Sequence, residues 1–290
     1  MDTSELARRM KKYEAVPKNV LMRRTPVIMR LDGRAFHTFT RNFVKPFDEV
    51  LMKAMQDTMK YLCENIQGCV LGYTQSDEIT LVLTDYKKFT SEPWFDYEVQ
   101  KMCSIAAGLA TLEFNRKMQM YSRTYADTAS DEKEEKQAEV YAKAVSNGAI
   151  FDCRVFNVPK EEVANNLYWR QLDAMRNSIQ MLGQANFRHK ELQHKNCCQI
   201  KEMLLTQKGL SWDDLPSQFQ RGSCCIKGTY DFEEFYDLET LSVEPGTVRM
   251  HWVTAVLSGI MWSLPRSITV RLPKTAQEHR YLLRYICKVL

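Results

Sequence analysis

The chain has 290 residues, of which 44% are hydrophobic and 26% charged, so its composition is that of a folded globular protein. This balance excludes collagen-like, coiled-coil and wholly disordered chains. A net charge of +4 permits a nucleic-acid partner without requiring one. Nine cysteines without a CxxC spacing fit neither a secreted disulfide framework nor a zinc ribbon, so we expect a reducing, cytoplasmic location. No apolar run has the length of a signal peptide or membrane span, and we expect no membrane contact.

The first part of the chain predicts strands and helices in alternation. Residues 25–31 form a short apolar run that stops at Asp32 and Gly33, which is typical of a buried strand followed by a turn. Apolar residues recur at helical spacing over 47–66 and again over 95–121. Between these segments, two short apolar runs flank the polar turn Gln75-Ser76-Asp77. These patterns predict a helix over 47–66, a hairpin of strands 69–74 and 78–84, and a helix over 95–121.

The second part begins with a charged segment. Residues 126–140 contain almost no large apolar side chains, so we expect a solvated insertion with little regular structure. Beyond residue 227 the pattern changes to shorter segments, and residues 228–290 are an extension of unknown role. The predicted elements are a strand over 149–158, helices over 160–182 and 190–208, strands over 247–253 and 266–272, and a closing helix over 274–290. Together the elements predict an α+β sandwich with helices on one face of the sheet.

Two acidic residues occupy the ends of predicted strands. Asp32 follows the first strand, and Asp77 lies in the turn of the hairpin. If the strands share one sheet, the two carboxylates emerge close together, which suits hard divalent cations such as Mg²⁺. Two such ions about 3.5 to 4 Å apart stabilise both oxygens of an in-line phosphoryl displacement.

Cations lie close to these acids in the sequence. Arg34 and His37 follow Gly33, and Lys45 precedes the predicted helix. With the free backbone amides of the turn they could hold a triphosphate, which makes nucleotidyl transfer the natural reaction class. Taken singly, each motif is more commonly structural, because Asp-Gly turns and polar hairpin tips are frequent in proteins.

Five motifs occur in a specific order along residues 20–227. They are RLDGRAFHTF, NFVKPFDEVLMKAMQ, GYTQSDEITLVL, FDCRVF and YWRQLDAMRNS. In this order they resemble the tRNA(His) guanylyltransferase family and its guanylyltransferase-like relatives, the 3′-to-5′ nucleotide polymerases. The resemblance implies that residues 1–227 form a palm-like, ferredoxin-type catalytic domain with an antiparallel sheet, and that the protein is a homotetramer.

The resemblance also implies roles for individual residues. Asp32, the carbonyl of Gly33 and Asp77 match metal ligands, for two Mg²⁺ ions, and Glu78 beside them completes the catalytic set. The residues matching nucleotide contacts are Arg34, Ala35, Phe36, His37, Lys45, Asp48 and Ser76. Those on the helix that matches the region near RNA or a second nucleotide are Arg170, Asp173, Arg176 and Asn177. Apart from the resemblance, basic residues on and after this helix are expected either to bind RNA phosphates or to form a solvated face; they are Arg176, Arg188, Lys190, Lys195 and Lys201.

One motif departs from the eukaryotic pattern. Where the eukaryotic guanylyltransferases carry His-Ile-Asn-Asn, this chain has Met175-Arg176-Asn177-Ser178. The departure resembles bacterial, archaeal and viral relatives, and it favours template-dependent repair of tRNA 5′ ends over untemplated addition of one guanylate to tRNA(His).

The implied reaction uses ATP or GTP to activate the RNA 5′ end, after which the 3′-hydroxyl of a bound NTP attacks it. A palm-type nucleotide cyclase and a noncatalytic tRNA-binding protein remain as alternatives. A second candidate site, formed by His189, His194, Cys197 and Cys198, has zinc ligand types. Its spacing is unusual for a metal site, so we expect packing and surface roles there.

Overall fold

The computed structural model of the protein describes residues 4–229 and 250–256, and its strands form one sheet. The strands are β1 (Val27–Gly33), β2 (Cys69–Gln75), β3 (Glu78–Leu83), β4 (Phe151–Asn157), β5 (Ser223–Thr229) and β6 (Met250–Val256). The helices are α1 (Glu5–Ala15), α2 (Phe36–Phe39), α3 (Glu49–Asn65), α4 (Val99–Thr128), α5 (Glu132–Asn147), α6 (Glu162–Asn186), α7 (His189–Leu192), α8 (Cys197–Lys208) and α9 (Ser217–Arg221). Short 3₁₀ turns cover Trp94–Tyr97 and Trp212–Asp214.

The sheet is antiparallel throughout and has the strand order β4-β1-β3-β2-β5-β6. This confirms the predicted α+β class, and it confirms β1 and the β2–β3 hairpin close to their predicted limits. Part of the 228–290 extension belongs to the same sheet, because β6 pairs with β5. The strand predicted over 266–272 and the closing helix over 274–290 lie outside the described residues.

Side chains that alternate along the strands divide the core between the two faces of the sheet. Val27, Met29 and Leu31 of β1 face the layer of α3, α4 and α5, whereas Ile28 lies in a second cluster on the opposite face. That second cluster includes Val163, Ala164 and Leu167 from the start of α6. The prediction that helices pack on one face is therefore incomplete. Both faces of β2 are buried, which requires a cover on each side.

The predicted insertion over 126–140 has no buried residue, as expected of a solvated segment, but most of it is helical, so the expectation of little regular structure was wrong. The α4 helix continues to Thr128, and α5 follows after a short break. Asp131 caps α5 by accepting a hydrogen bond from the backbone N–H of Glu134 at 2.8 Å. The few apolar residues of α5, which include the buried Tyr141 and Ala144, fall on one side and pack against the core. A narrow apolar stripe was sufficient for docking although the segment is mostly charged.

The distal part of α6 builds a third, smaller cluster. Ile179 and Leu182 pack there with α8 and with Trp212, whose indole N–H donates to Ser178 Oγ at 2.9 Å. The helix predicted over 190–208 is divided into α7 and α8, because Asn196 caps α8 and interrupts the run. Gly209 ends α8 in the left-handed conformation, as predicted. None of the helices in the described part of the chain has the length and apolarity that a bilayer crossing requires.

Candidate active site

The sheet brings the two predicted strand-end acids together. Asp32 near the end of β1 is directly opposite Glu78 at the start of β3. The N–H of Gly33 donates to the carbonyl of Asp77 at 3.1 Å, which joins the end of β1 to the hairpin turn. Asp32 and Asp77 are both partly buried at this end of the sheet. Residues 45 apart in sequence are thus neighbours because β1 and β3 run antiparallel.

The acids influence one another electrostatically. Burial raises the pKa of Asp77 above its usual range, and the nearby Asp32 carboxylate raises it further. Backbone hydrogen bonding and the hydroxyl of Ser76, which donates to Asp77 Oδ1 at 3.0 Å, act in the opposite direction. The arrangement concentrates negative charge at one place in a poorly solvated setting, and such a place favours a bound cation.

Glu78 is held by an internal ion pair. Arg170 of α6 donates to Glu78 Oε2 at 2.8 Å and contacts Asp173 at 3.2 Å, and its guanidinium lies over the Trp169 ring at 3.8 Å. Burial raises the pKa of Glu78, while Arg170 lowers it. Arg170 is only 7% exposed, so the structure places it between α6 and the sheet. Contact of Arg170 and Asp173 with RNA or a second nucleotide stays a prediction.

The loop after Gly33 presents the predicted nucleotide contacts unevenly. Arg34, His37 and Lys45 are exposed. Ala35 has a left-handed backbone, with φ 53°, and begins the short helix α2. The ring of Phe36 is buried among core aromatic rings, which leaves only its backbone for the predicted contact.

Asp48 has a structural role in addition to its predicted one. Its carboxylate caps α3 by accepting from the N–H of Leu51 at 2.9 Å, and it accepts from the N–H of Val44 at 3.0 Å. The hydroxyl of Tyr141 donates to it at 2.7 Å. These three bonds fix the loop that carries Lys45, while direct contact between Asp48 and a nucleotide stays a prediction.

A groove opens beside Ser76, between the start of α3, the middle of α6 and α9. It encloses about 660 Å³ including its open mouth. Phe47 and Phe219 stack at one wall with ring centroids 4.9 Å apart. Apolar and uncharged polar side chains predominate in the rest of the lining, notably Met52, Met55, Gln56, Gln75, Asn177, Met181 and Gln218. Of the residues predicted to contact RNA or a second nucleotide, Asn177 is the one that lines this groove.

The remaining predicted RNA contacts are spread out. Arg176 is exposed on α6, and Arg188 and Lys190 are exposed beyond its end. At a rise of 1.5 Å per residue, the 16 steps along the helix from Arg170 to Asn186 extend roughly 24 Å. The structure therefore does not bring Arg188 and Lys190 to the acids, and it places them at a distance that only an extended substrate would reach.

The strand β4 contains the FDCR motif, and the sequence predicted the strand but no role for its polar residues. Asp152 is directly opposite Asp32, and Arg154 is directly opposite Arg30. Because paired residues of an antiparallel sheet project on the same side, Asp152, Asp32 and Glu78 form one row and Arg154 and Arg30 the next. The alternation of polar and apolar residues over 151–157 indicates that the polar side chains of β4 share one face. It does not indicate which strand pairs with β4, so the neighbours of Asp152 could not be predicted.

The acids fit magnesium better than a softer metal. Within the described residues, no group of three or more His, Cys, Asp or Glu side chains is close enough to hold a metal ion. The available oxygen ligands for a cation are therefore a smaller set: the carboxylates of Asp32 and Asp77, and the carbonyl of Gly33 that the family resemblance adds. Mg²⁺ accepts such a small set of oxygen ligands because it keeps several waters and shares phosphate oxygens with its substrate.

Comparison with known proteins gave consistent results. The family model described as Thg1: tRNAHis guanylyltransferase matches residues 7–159. An uncharacterized protein, R259, of Acanthamoeba polyphaga mimivirus is 30% identical over 219 residues, covering 72% of each chain. A probable tRNA(His) guanylyltransferase of Dictyostelium discoideum is 23% identical over 74% of this chain and 82% of its own length.

Two solved structures are also similar. A bacterial tRNA(His) guanylyltransferase (Thg1)-like protein in complex with ATP is 41% identical and covers 77% of this chain and 88% of its own, with a TM-score of 0.67. A bacterial Thg1-like protein in complex with GTP is 31% identical and covers 98% and 99%, with a TM-score of 0.70.

Proposed function

Because the chain belongs to the tRNAHis guanylyltransferase (Thg1) family and is a nucleotidyltransferase, we propose that it adds nucleotides to the 5′ end of tRNA in the 3′-to-5′ direction. The observation that carries this proposal is the convergence of Asp32 and Asp77, linked by the hydrogen bond from Gly33 N–H to the Asp77 carbonyl. Residues on β1 and on the β2–β3 turn form one anionic site at the end of the sheet.

We propose Asp32, Asp77 and the carbonyl of Gly33 as the ligands of two Mg²⁺ ions. When bound, the ions would neutralise phosphate charge and polarise the reacting phosphoryl group. The protein's own residues keep the carboxylates apart from bulk water and fix their spacing through the β1–β3 pairing. Glu78 is the third acid of the proposed catalytic set. It adds negative charge beside Asp32, and its ion pair with Arg170 fixes its position.

The nucleotide is proposed to bind along the exposed loop after β1. Arg34, His37 and Lys45 would contact its phosphates, and Ser76 lies where a phosphate oxygen would approach Asp77. The bacterial relatives whose structures contain ATP and GTP support nucleoside triphosphates as substrates.

The proposed reaction has two transfers. The tRNA 5′-monophosphate attacks the α-phosphate of ATP or GTP, and pyrophosphate leaves. The 3′-hydroxyl of the incoming NTP then attacks the activated 5′-phosphate, and the nucleoside monophosphate leaves while a proton passes to solvent. Both steps bring several phosphates together, and the partial burial of Asp32 and Asp77 increases the effect of the opposite charges that meet there.

We propose that addition follows a template and repairs shortened tRNA 5′ ends. The Met175-Arg176-Asn177-Ser178 segment supports this, because it lacks the histidine and second asparagine of eukaryotic guanylyltransferases. Asn177 and Ser178 line the groove beside Ser76. A sequence difference in this segment would therefore change the surface that contacts a substrate next to the acids. Untemplated addition of one guanylate to tRNA(His) is the alternative.

We further propose a homotetramer in the cytoplasm. The described α1 helix has no buried residue and exposes Leu6, Met10 and Tyr13, which recur at helical spacing on one side. An apolar stripe of this kind is suited to contact another copy of the chain. Light scattering coupled to size exclusion would measure the mass of the assembly.

Nucleotide addition to defined tRNAs tests the function. Full-length and 5′-truncated tRNAs carrying a 5′-triphosphate or monophosphate are incubated with each labelled NTP and Mg²⁺. We expect growth of truncated 5′ ends with the nucleotide complementary to the opposite base. Asp32→Ala and Asp77→Ala should abolish addition while keeping the fold, and Asp127→Ala, an exposed acid on α4, should leave it unchanged.

The other outcomes separate the alternatives. Conversion of NTP without any RNA would indicate a cyclase, and guanylate addition regardless of the opposite base would indicate untemplated activity. Tight tRNA binding without label incorporation would indicate a noncatalytic protein. Retained addition in a folded Asp32→Ala variant would exclude the two-carboxylate site.

A further inference from the structure

A tryptophan on α6 is exposed to solvent although other tryptophans of the chain are not. Among the tryptophans whose burial the structure describes, Trp94 and Trp212 are buried, whereas Trp169 is 53% exposed. Single exposed apolar side chains are common on proteins, so exposure alone indicates nothing about Trp169. The contacts that the ring makes are what distinguish it.

The indole ring of Trp169 is joined to the proposed catalytic acids by two contacts. The guanidinium carbon of Arg170 lies over the ring, 3.8 Å from its centroid, and the same guanidinium donates to Glu78 Oε2 at 2.8 Å. Arg170 also contacts Asp173 at 3.2 Å and is only 7% exposed, so its guanidinium is fixed. The ring of Trp169 therefore has a defined position next to the acids.

One face of this ring is covered and the other is open. A cation over the face of an indole is attracted by the ring quadrupole, which holds the ring against Arg170. Because more than half of Trp169 remains exposed, the face turned away from Arg170 is accessible to a second planar group. A ring that is already held loses little conformational freedom when a ligand stacks on it. The arrangement is therefore suited to bind a nucleobase.

The surface that includes Trp169 continues along the helix. Leu172 is 44% exposed and Arg176 is also exposed, and spacings of three and four residues place them on the same side of α6 as Trp169. The rise from Trp169 to Arg176 is about 10 Å. A base on Trp169 and a phosphate at Arg176 can therefore belong to one short strand. The helix leads on to the exposed Arg188 and Lys190 just beyond its end.

We propose that Trp169 stacks on an unpaired base of the tRNA next to its 5′ end, with Leu172 extending the apolar contact. This inference rests on the proposed tRNA substrate. The occupant is RNA and not a free nucleoside triphosphate, because the exposed cations continue to the end of α6, roughly 24 Å from Arg170, which exceeds the length of one nucleotide. Every base has a face that can stack, so Trp169 holds the strand without selecting its sequence.

RNA binding by the full chain tests this proposal. Fluorescence anisotropy measures the affinity for two labelled acceptor-stem duplexes, one blunt and the other with unpaired nucleotides opposite a shortened 5′ end. We expect Trp169→Ala to weaken binding of the second duplex by about 5- to 150-fold, which is the range for loss of one stacked base, and to leave binding of the blunt duplex unchanged. Trp169→Phe should lose less. Trp169→Leu should lose nearly as much as Trp169→Ala, because leucine is apolar but cannot stack.

Salt dependence separates stacking from charge. Stacking releases no counterions, so Trp169→Ala should keep the slope of log affinity against log salt, whereas Arg176→Ala should reduce it by about 1. Phe89→Ala is the control, because Phe89 is a 95% exposed aromatic residue in the loop that follows β3, whose other end begins at Glu78. Its affinities should equal those of the wild type. Circular dichroism and urea unfolding check the folding of each variant.

Other outcomes overturn the proposal. Equal weakening of both duplexes by Trp169→Ala would mean that the ring acts through Arg170 and not on an unpaired base. A higher KM for the NTP with unchanged RNA affinity would assign the ring to the free nucleotide, and a smaller assembly in light scattering would assign it to a contact between copies of the chain. Unchanged affinity of Trp169→Ala for both duplexes would exclude the stack alone, whereas a wild-type protein that binds neither duplex would contradict the proposed tRNA substrate itself.

Discussion

At the scale of single residues, the ion pair between Arg170 and Glu78 is the most consequential contact near the site. Both side chains are about 10% exposed, and the nitrogen–oxygen distance is 2.8 Å. Removing one partner of a buried pair leaves the other charge without compensation, and that loss exceeds what the pair contributes when intact. Arg170 therefore positions Glu78 and joins α6 to the sheet.

We expect Arg170→Met to lower the free energy of unfolding by about 3 to 5 kcal/mol at pH 7. Arg170 normally lowers the pKa of Glu78, so its loss raises a pKa that burial already raises. Below the unfolded glutamate pKa of about 4.3, Glu78 is protonated in both states, and the penalty should shrink. Urea unfolding at pH 7 and pH 4 measures the difference.

A surface pair supplies the control for this measurement. Lys136 and Glu132 are 2.6 Å apart with most of each side chain exposed, so Lys136→Met should change the stability by less than about 1 kcal/mol. A similar small effect for Arg170→Met, or one independent of pH, would contradict the positioning role.

At the scale of elements, Gly222 makes the turn from α9 into β5. Its φ is +83°, and a Cβ at this position would lie 2.4 Å from the carbonyl oxygen of Thr74 on the adjacent strand β2. The turn places β5 against β2 and closes one side of the groove beside Ser76. A side chain would have to displace a paired backbone, which cannot yield as a flexible side chain can.

We expect Gly222→Ala to destabilise the protein by at least about 2 kcal/mol more than Gly209→Ala, because overlap adds to backbone strain. Gly209 also has a positive φ, of +65°, but a Cβ there meets nothing within 4 Å. Comparing the two variants therefore separates backbone strain, which both share, from steric overlap with Thr74, which only Gly222→Ala has. Thermal unfolding of both variants measures the difference, and equal melting temperatures would show that β2 and β5 adjust without cost.

Local patterns predicted some elements and could not predict others. The β2–β3 hairpin and α3 follow from apolar periodicity, which depends only on neighbours in sequence. The charged α5 was missed because its stability comes from Tyr141 and Ala144 packing on the core, which is a tertiary effect.

The same limit applies to the site. The convergence of Asp32 and Asp77 was predicted because both are at strand ends next to turns. Two other features of the site were not predicted. The ion pair of Arg170 with Glu78 joins residues 92 apart in sequence, and the position of Asp152 beside Asp32 depends on which strand pairs with β1. Such partners follow from sheet order, which a single sequence does not contain.

At the scale of the whole molecule, the proposed RNA contacts extend from the acids to the far end of α6. A small net charge of +4 means that attraction for RNA depends on where the cations lie. Arg176, Arg188 and Lys190 are exposed along this path. Their separation suits a long substrate whose end reaches the acids.

We expect tRNA binding to weaken as salt increases, because phosphate contacts release counterions. Each of Arg176→Ala, Arg188→Ala and Lys190→Ala should reduce the slope of log affinity against log salt by about 1 where a phosphate contact is lost. Filter binding over a range of KCl measures the slopes. Lys133→Ala, on the exposed side of α5, is the control, and slopes equal to its own would exclude these contacts.

The two rows of charges on the sheet have a consequence for the protein without substrate. Arg30 and Arg154 lie one register step behind Asp32 and Asp152, and Arg170 sits over Glu78. Asp152 and Glu78 already have guanidinium neighbours, in Arg154 at 3.4 Å and Arg170 at 2.8 Å, so repulsion among the acids is limited before a cation binds. The fold should consequently survive purification in chelating buffer, and metal would then be needed for turnover alone, not for holding the chain together.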